Sequence, residues 1–168
     1  MHRVLILLGS NQGFRYKNLL LAKYFIQRFI GEVVAVSDIY ETEPWRVTGR
    51  QSAYLNQCLE IKTYKGVFQI LNITQKIEKQ LGRKCKKQNQ SRTIDIDILF
   101  YDTIFLNNEN LIIPHPRLHL RKFTLLPLSE IAANFLHPVF NQTVQKILEN
   151  VQDTSEVKLY LSKISQKI

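Results

Sequence analysis

Four segments of the chain carry the apolar spacing that is typical of β-strands. Residues 4–8 form a continuous apolar run that ends at a turn beginning with Gly9, which predicts a buried strand. Residues 33–40 are rich in β-branched side chains, and apolar residues alternate with polar ones in 54–63 and at the start of 94–101. We therefore predict strands in all four segments.

Apolar residues recur at helical spacing in the segments between these strands. This spacing predicts helices over 16–29 and 67–81, each followed by a glycine, and further helices at 125–133 and 144–150. The resulting order is β-α-β-β-α-β with a helical tail. Two strand–helix–strand units of this kind favour an α+β fold: a ferredoxin-like βαββαβ sandwich, in which helices pack on an antiparallel sheet, followed by a C-terminal helical extension.

The composition indicates one domain that can bury a core. The chain has 168 residues, of which 45% are hydrophobic, and no repeat, low-complexity tract or linker divides it. We therefore expect a single domain over 1–168. Cys58 and Cys85 lie too far apart for a C-x-x-C motif and predict neither a disulfide framework nor a zinc site. The first apolar run is too short for a signal peptide or a membrane span, so a cytoplasmic protein is expected.

The net charge limits the classes of binding partner but does not identify one. A net charge of +9 favours an anion, which could be a nucleic acid, an acidic lipid or a polyphosphate. Two polar segments interrupt the apolar pattern, at 42–53 and 83–92. Long loops in compact domains are often functional, so both segments are candidates for a binding site.

The strongest local signal is a pair of aspartates in the strand predicted at 94–101. Side chains alternate along a strand, so Asp95 and Asp97 share one face, about 7 Å apart, while Ile94, Ile96 and Ile98 pack inward on the other. Two acids on one strand face repel each other unless something positive lies between them. Such a pair can hold magnesium, which takes few protein oxygens and leaves room for phosphate oxygens. An isolated D-x-D is equally compatible with a solvated strand face.

Basic residues on both sides of this strand make the metal interpretation more specific. Acids that hold a metal, surrounded by cations, suit a nucleoside triphosphate, because the metal bridges phosphates and the cations neutralise charge that moves during transfer. No G-x-x-x-x-G-K-[ST] or G-x-G-x-x-G motif is present, so ATP would be held by side chains and metal. The basic residues are Arg83, Lys84, Lys86, Lys87, Arg92, His115, Arg117, His119, Arg121 and Lys122.

Several short motifs occur together in one order, and with them the chain resembles the 6-hydroxymethyl-7,8-dihydropterin pyrophosphokinase family. The resemblance covers residues 4 to about 138. Its most specific part is Arg92-x-x-Asp95-Ile96-Asp97 with the downstream Pro114-His115 and Arg121-x-Phe123. The other matching pieces are Gly9-Ser10-Asn11, Tyr40-Glu41-Thr42-Glu43-Pro44, Gln51-x-x-Tyr54-Leu55-Asn56, Gln75-x-x-Glu78, Gly82-Arg83 and Pro127-Leu128-x-Glu130-Ile131-Ala132.

The resemblance implies an enzyme that transfers the pyrophosphoryl group of ATP to the hydroxymethyl oxygen of the pterin and releases AMP, in folate biosynthesis. It implies small-molecule substrates, two Mg²⁺ ions and no nucleic-acid or membrane partner, and we expect a monomer. The implied catalytic residues are Arg83, Arg92, Asp95 and Asp97, of which the two aspartates ligate the metal. The implied pterin residues are Thr42, Pro44, Trp45, Tyr54, Asn56 and Phe123. The implied ATP residues are Gln75, Glu78, Arg83, Arg92, Ile98, Ile112, His115 and Arg121.

Two other functions remain open from the residues themselves. A nucleotidyltransferase also pairs an early Gly-Ser turn with a D-x-D strand, but its acids usually follow the turn closely, whereas here more than eighty residues intervene. An RNA-binding module of the same fold would suit the positive charge. The acids on the expected ligand face would repel a phosphate backbone in the absence of metal. We also predict that residues 83–92, five of which are basic, become ordered when ATP and magnesium bind.

Overall fold

A computed structural model of the protein describes residues 1–45, 51–83 and 91–164. In these residues eight strands and four α-helices follow one another, with a short 3-10 helix at Leu118–Leu120. The strands are β1 His2–Ser10, β2 Glu32–Val36, β3 Ile39–Thr42, β4 Tyr54–Thr63, β5 Asp95–Tyr101, β6 Leu106–Asn108, β7 Leu111–Ile113 and β8 Val157–Leu161. The helices are α1 Arg15–Phe29, α2 Val67–Gln80, α3 Lys122–Ala132 and α4 Val144–Glu149.

Six of the strands form one antiparallel sheet. Its order is β5-β1-β4-β3-β8, and β2 pairs with β4 beside β3. The mixed helix and antiparallel-sheet class expected from the sequence is therefore confirmed. The remaining strands, β6 and β7, form a separate hairpin. None of the helices in the described ranges combines the length and apolar character needed to cross a membrane.

The central strand β1 is buried on both faces, which explains why its sequence is continuously apolar. Val4, Ile6 and Leu8 belong to the core between the sheet and helices α1 and α2. Leu5 and Leu7 belong to a second core, beneath α3 and α4. Because neighbouring side chains on a strand point to opposite faces, a strand covered on both sides needs apolar residues at every position.

The prediction of one strand over 33–40 is wrong, because the segment breaks into β2 and β3 at Ser37. The buried Ser37 hydroxyl accepts a hydrogen bond from the backbone N of Cys58 at 2.9 Å and donates one to the carbonyl of Asp38 at 2.7 Å. The amide of Gln57 donates to the Ser37 carbonyl at 3.0 Å. These side-chain contacts interrupt the regular ladder and allow β3 to take a different path from β2.

The segment after residue 120 contains the two predicted helices and one strand that was not predicted. The helices expected at 125–133 and 144–150 are present as α3 and α4. The chain after residue 150 does not continue as a helix in its described part. It forms β8, which pairs with the outer edge of β3.

Candidate active site

A cleft of about 720 Å³ opens where β5, β1 and β4 meet the ends of α2 and α3. This volume lies within the range of ligand pockets. Every residue that the sequence assigned to the site lines it, apart from Pro44, which lies between the lining residues Glu43 and Trp45. The predicted residues that line it are Thr42, Trp45, Tyr54, Asn56, Gln75, Glu78, Arg83, Arg92, Asp95, Asp97, Ile98, Ile112, His115, Arg121 and Phe123.

Asp95 and Asp97 leave the same face of β5, as the strand alternation predicted. Ile94, Ile96 and Ile98 are buried in the core on the opposite face. Asp95 accepts hydrogen bonds from Arg83 Nη1 at 2.6 Å and from Arg92 Nη1 at 2.7 Å. Burial would lower the pKa of Arg92, but the adjacent Asp95 carboxylate raises it overall, so the Arg92 guanidinium keeps its charge.

Asp97 lies in a different electrostatic environment from Asp95. Burial, followed by the nearby charge of Asp95, raises the pKa of the Asp97 carboxyl to about 7. Arg121 Nη1 lies 4.0 Å and His115 Nε2 3.8 Å from its Oδ2, both too far for hydrogen bonds, and of these two groups only the guanidinium is charged at neutral pH. Asp97 is therefore an undercompensated carboxylate that a cation in the cleft would stabilise.

Glu78 lies beneath these groups and is only 4% exposed. Its Oε1 accepts a hydrogen bond from the backbone N of Ile96 at 2.9 Å and another from Arg83 Nη1. It thereby joins α2 to β5 and holds Arg83 against Asp95. Its position at the edge of the cleft is as expected, but its carboxylate is occupied by groups of the chain itself.

Arg121 connects the charged side of the cleft to its aromatic side. Its guanidinium lies 5.0 Å from the ring centroid of Trp45 and 5.5 Å from that of Phe123. The two rings are 6.5 Å apart and nearly edge-to-face. Burial lowers the pKa of Arg121, and its Nε has no hydrogen-bond partner among the described residues. A buried donor of this kind suits an anionic ligand.

His115 is held in a neutral state beside Asp97. Its backbone N donates to the Leu99 carbonyl at 2.9 Å, which fixes the start of the turn after β7. Burial, and then the charges of Arg121 and Arg117, lower the pKa of its imidazole to about 3. The ring is therefore uncharged at neutral pH, and because its Nδ1 accepts from the backbone N of Arg117 at 3.3 Å, the proton is on Nε2, which lies on the side of Asp97.

The opposite wall of the cleft presents aromatic and amide groups. Asn56 is 2% exposed, and its Nδ2 donates to Thr42 Oγ1 at 2.8 Å, linking β4 to β3. Tyr54 is half-buried, and burial raises the pKa of its hydroxyl. These residues form a flat wall with both donors and acceptors, which suits a heterocycle with an amide edge.

Residues 5–133 match the family model described as 7,8-dihydro-6-hydroxymethylpterin-pyrophosphokinase (HPPK). The chain belongs to this family. The match includes β1 from Leu5 onwards and the whole of α3, so all the residues of the site just described lie inside it.

Relatives of similar size carry the same name. The 2-amino-4-hydroxy-6-hydroxymethyldihydropteridine pyrophosphokinase of Bacillus subtilis (strain 168) is 42% identical over 127 residues, which are 75% of each chain. The corresponding protein of Aquifex aeolicus (strain VF5) is 35% identical over 87% of this chain and 90% of its own length.

Other relatives are much longer than this chain. The folic acid synthesis protein fol1 of Pneumocystis carinii is 38% identical, but the match spans only 20% of it. Among solved structures, a Plasmodium falciparum HPPK-DHPS superposes with a TM-score of 0.73 and 18% identity over 88% of this chain and 44% of that one. At that identity the likeness shows the fold alone.

The cleft also depends on HPPK-motif residues that the sequence analysis left without a role. Gly9 lines the cleft, and a Cβ there would be in van der Waals contact with Asn56 Oδ1 at 3.4 Å and with the Tyr54 ring at 3.7 Å. Asn11 Oδ1 accepts a hydrogen bond from the backbone N of Arg92 at 2.7 Å. The sequence signal for Gly9 and Asn11 was the Gly9-Ser10-Asn11 motif. It predicted a turn but did not show which residues the turn would contact.

The tip of the β6–β7 hairpin is a further wall that sequence reasoning missed. Asn108, Glu109, Asn110 and Leu111 line the cleft together with the predicted Ile112. Each strand of this hairpin has only three residues, which is too short for a periodic signal. The predicted ordering of residues 83–92 falls mainly on 84–90, which lie outside the described residues.

The carboxylates in the cleft suit magnesium better than a metal ion that needs three or more protein ligands. The described ranges contain no group of three or more His, Cys, Asp and Glu side chains that could hold a metal ion. Magnesium usually keeps several waters and binds through one or two carboxylates together with substrate phosphates. Asp95 and Asp97, on one face of β5 beside the basic residues, are such a pair.

Proposed function

We propose that this protein transfers the pyrophosphoryl group of ATP to the hydroxymethyl oxygen of 6-hydroxymethyl-7,8-dihydropterin and releases AMP, a step of folate biosynthesis. The observation that carries the proposal is that one cleft joins the Asp95–Asp97 pair and its arginines to the aromatic and amide wall. A transferase for these two substrates needs both surfaces within reach of one another. The HPPK family match supports the same activity.

Asp95 and Asp97 would hold two Mg²⁺ ions. Bound there, the metal would neutralise phosphate charge and orient the transferred group. Asp97 suits this role because, among the described residues paired with it, the charged guanidinium of Arg121 comes no closer than 4.0 Å to its carboxylate. Asp95 would have to exchange at least part of its pairing with Arg83 and Arg92 when metal and ATP arrive.

Once released from Asp95, Arg83 and Arg92 would bind the phosphates of ATP. Arg83 and Arg92 lie at the two ends of the segment that precedes β5, so both can turn from the carboxylate to an adjacent phosphate oxygen. Arginine binds phosphate with two parallel hydrogen bonds, which fixes its orientation as well as its charge. The other residues assigned to ATP are Gln75, Glu78, Ile98, Ile112, His115 and Arg121.

The pterin would occupy the wall opposite the charged groups. Its ring would lie between Tyr54 and Phe123, while Asn56 and Thr42 would bond its polar edge. Backbone groups near Pro44 and Trp45 would complete this side. The substrate alcohol is the nucleophile, so positioning and electrostatic stabilisation supply most of the rate and no covalent enzyme intermediate forms.

The finer structural assignments belong to the same proposal. The order β5-β1-β4, with β2 and β3 on the far edge of β4, supports the ferredoxin-like description. Pairing of β8 with β3 supports treating residues 1–168 as one unit. We further propose a monomer in the cytoplasm, where the buried thiol of Cys58 would stay reduced.

Product analysis tests the function directly. The purified chain is incubated with ATP, MgCl₂ and 6-hydroxymethyl-7,8-dihydropterin, and nucleotides are separated by chromatography. The expected result is AMP in equal amount to pterin pyrophosphate, with no AMP when the pterin is omitted. Release of inorganic pyrophosphate would favour a nucleotidyltransferase instead. ADP as product would contradict transfer of a pyrophosphoryl group.

A further inference from the structure

The carboxylate of Glu130, on α3, connects three segments of the chain. Its Oε1 accepts a 2.6 Å hydrogen bond from Tyr40 Oη, and its Oε2 accepts a 3.0 Å bond from the backbone N of Asp38. Lys163 Nζ lies 3.5 Å from the same Oε2. The side chain is 19% exposed, so water competes little for these contacts. Hydrogen bonds to a charged acceptor are about twice as strong as neutral ones.

Tyr40 is a permanent donor in this cluster. Burial, followed by the hydrogen bond to Glu130 and the Glu130 charge, raises the pKa of the tyrosine hydroxyl. The proton therefore stays on Oη over the whole physiological pH range. The Tyr40–Glu130 contact is thus a fixed connection between β3 and α3.

Each of these two elements carries one residue of the proposed pterin site: β3 carries Thr42, at the polar edge, and α3 carries Phe123, on one face of the ring. Phe123 lies in the first turn of α3, and Glu130 follows seven residues later, about 10 Å along the helix. Tyr40 lies two residues before Thr42, so both side chains leave β3 on the same face. The distance between Thr42 and Phe123 therefore depends on how β3 is held against α3.

The tail of the chain holds β3 from its other edge. Residues 134–168 lie beyond the HPPK match, yet β8 pairs with β3 from Ile39–Leu161 to Thr42–Val157. The backbone N of Lys163 also donates to Asp38 Oδ1 at 2.7 Å. Strand β3 is consequently fixed on one side by Glu130 and on the other by the tail.

We propose that Glu130 is a positioning residue for the pterin: by tying Tyr40 and Asp38 to α3, it sets the distance between Thr42, at the polar edge of the pterin, and Phe123, on one face of its ring. This inference rests on the proposed function, since it names the ligand whose site is set. The ATP side is built on β5, which β1 and β4 separate from β3. Loss of the connection should therefore impair pterin binding and leave ATP binding nearly unchanged.

The test compares two carboxylate-to-amide variants, one on α3 and one on β4. Glu130→Gln removes the charge and one of the two acceptor oxygens that hold Tyr40 and Asp38 against α3. Glu60→Gln does the same to a carboxylate that accepts from Arg3 Nε at 2.9 Å and Nη2 at 2.8 Å, and serves as the matched control. Both variants should lower the melting temperature. Only Glu130→Gln should raise KM for the pterin, by about tenfold, while KM for ATP changes by less than about twofold.

A milder variant keeps the inference testable if Glu130→Gln fails to fold. Tyr40→Phe removes only the hydroxyl and should raise the pterin KM by about threefold, as expected for one hydrogen bond. A pterin KM that stays at the wild-type value in the folded variants would overturn the inference, as would equal rises in both KM values. A wild-type chain that forms no AMP would instead refute the proposed function.

Discussion

The cleft and the flank around His137 differ in whether their buried polar groups are hydrogen-bonded within the chain. In this aromatic flank, which comprises Phe100, Phe135, His137 and Phe140, the chain satisfies its own groups. His137 Nδ1 accepts from the backbone N of Val139 at 3.2 Å and of Phe140 at 3.3 Å. Its ring stacks on Phe140 at 4.3 Å and meets the edge of Phe100 at 5.4 Å.

The cleft leaves comparable groups without partners. The buried Nε atoms of Arg83 and Arg121 have no hydrogen bond within the part of the chain that the structure describes. Asp97 carries a raised pKa beside a second carboxylate. Unpaired buried donors and perturbed carboxylates are costly in a folded protein and cluster where a ligand completes them. The contrast supports the proposal that the cleft is the ligand site, independently of any relative.

The largest expected effect comes from Asp97→Asn. Turnover should fall by about a thousandfold or more, equivalent to about 4 kcal/mol, because the amide cannot hold magnesium with the same charge. The melting temperature should not fall, since the change removes a buried charge beside Asp95. Steady-state kinetics at saturating MgCl₂ and thermal unfolding measure the two quantities.

Asp102→Asn is the matched control for this loss of charge. Asp102 accepts from the backbone N of Arg3 at 2.8 Å and pairs with His2 at 2.7 Å, at the end of β5 away from the cleft. This variant should lower the melting temperature and keep normal turnover. Near-normal turnover of Asp97→Asn would mean that Asp97 is not a metal ligand. The cleft would then lose the main feature that distinguishes it from the flank around His137.

A smaller and more selective effect is expected from Phe123→Leu. Leucine keeps apolar volume but loses the flat ring, so the pterin KM should rise by up to about tenfold, the scale of one aromatic pair. KM for ATP should change several times less. Phe135→Leu, in the flank, is the control and should reduce stability with both KM values unchanged. Equal losses for the two substrates would make Phe123 a packing residue like Phe135.

The parts of the molecule that were predictable depend on local periodicity. The alternation of Ile94, Asp95, Ile96, Asp97 and Ile98 fixes which side chains share a face of β5, whatever the rest of the chain does. The continuous run of β1 likewise indicated a strand covered on both faces. Burial patterns of this kind need only the sequence neighbours of each residue.

The parts that were not predictable depend on partners far away in sequence. Ser37 breaks the expected strand because its hydroxyl bonds Cys58 on β4, twenty-one residues later. Arg92 is anchored by Asn11, eighty-one residues earlier. The exposed strand β8 forms only because β3 offers a free edge, and its own pattern of Val157, Leu159 and Leu161 gave too short a signal.

The smallest expected effect is a pH dependence of folding stability that does not involve turnover. Burial, followed by the charge of His119, lowers the pKa of His137 to about 4, whereas an unfolded histidine titrates near 6.5. Between these values the unfolded chain binds more protons than the folded one. Folding stability should therefore decrease as the pH falls from about 6.5 towards 4, and this group should add no pH dependence above that window.

His137→Asn removes this titration and keeps an acceptor close to the position of Nδ1. At pH 7.5 the variant should be somewhat less stable, because the asparagine fills less space between Phe100 and Phe140. At pH 5 the difference should shrink by about 1–2 kcal/mol, since only the wild type loses the contribution of its neutral imidazole. Urea unfolding at the two pH values measures the change, and the pterin KM at pH 7.5 should match the wild type. A difference in stability that is the same at both pH values would show that His137 is not held neutral. In that case the flank, like the cleft, would tolerate an uncompensated charge.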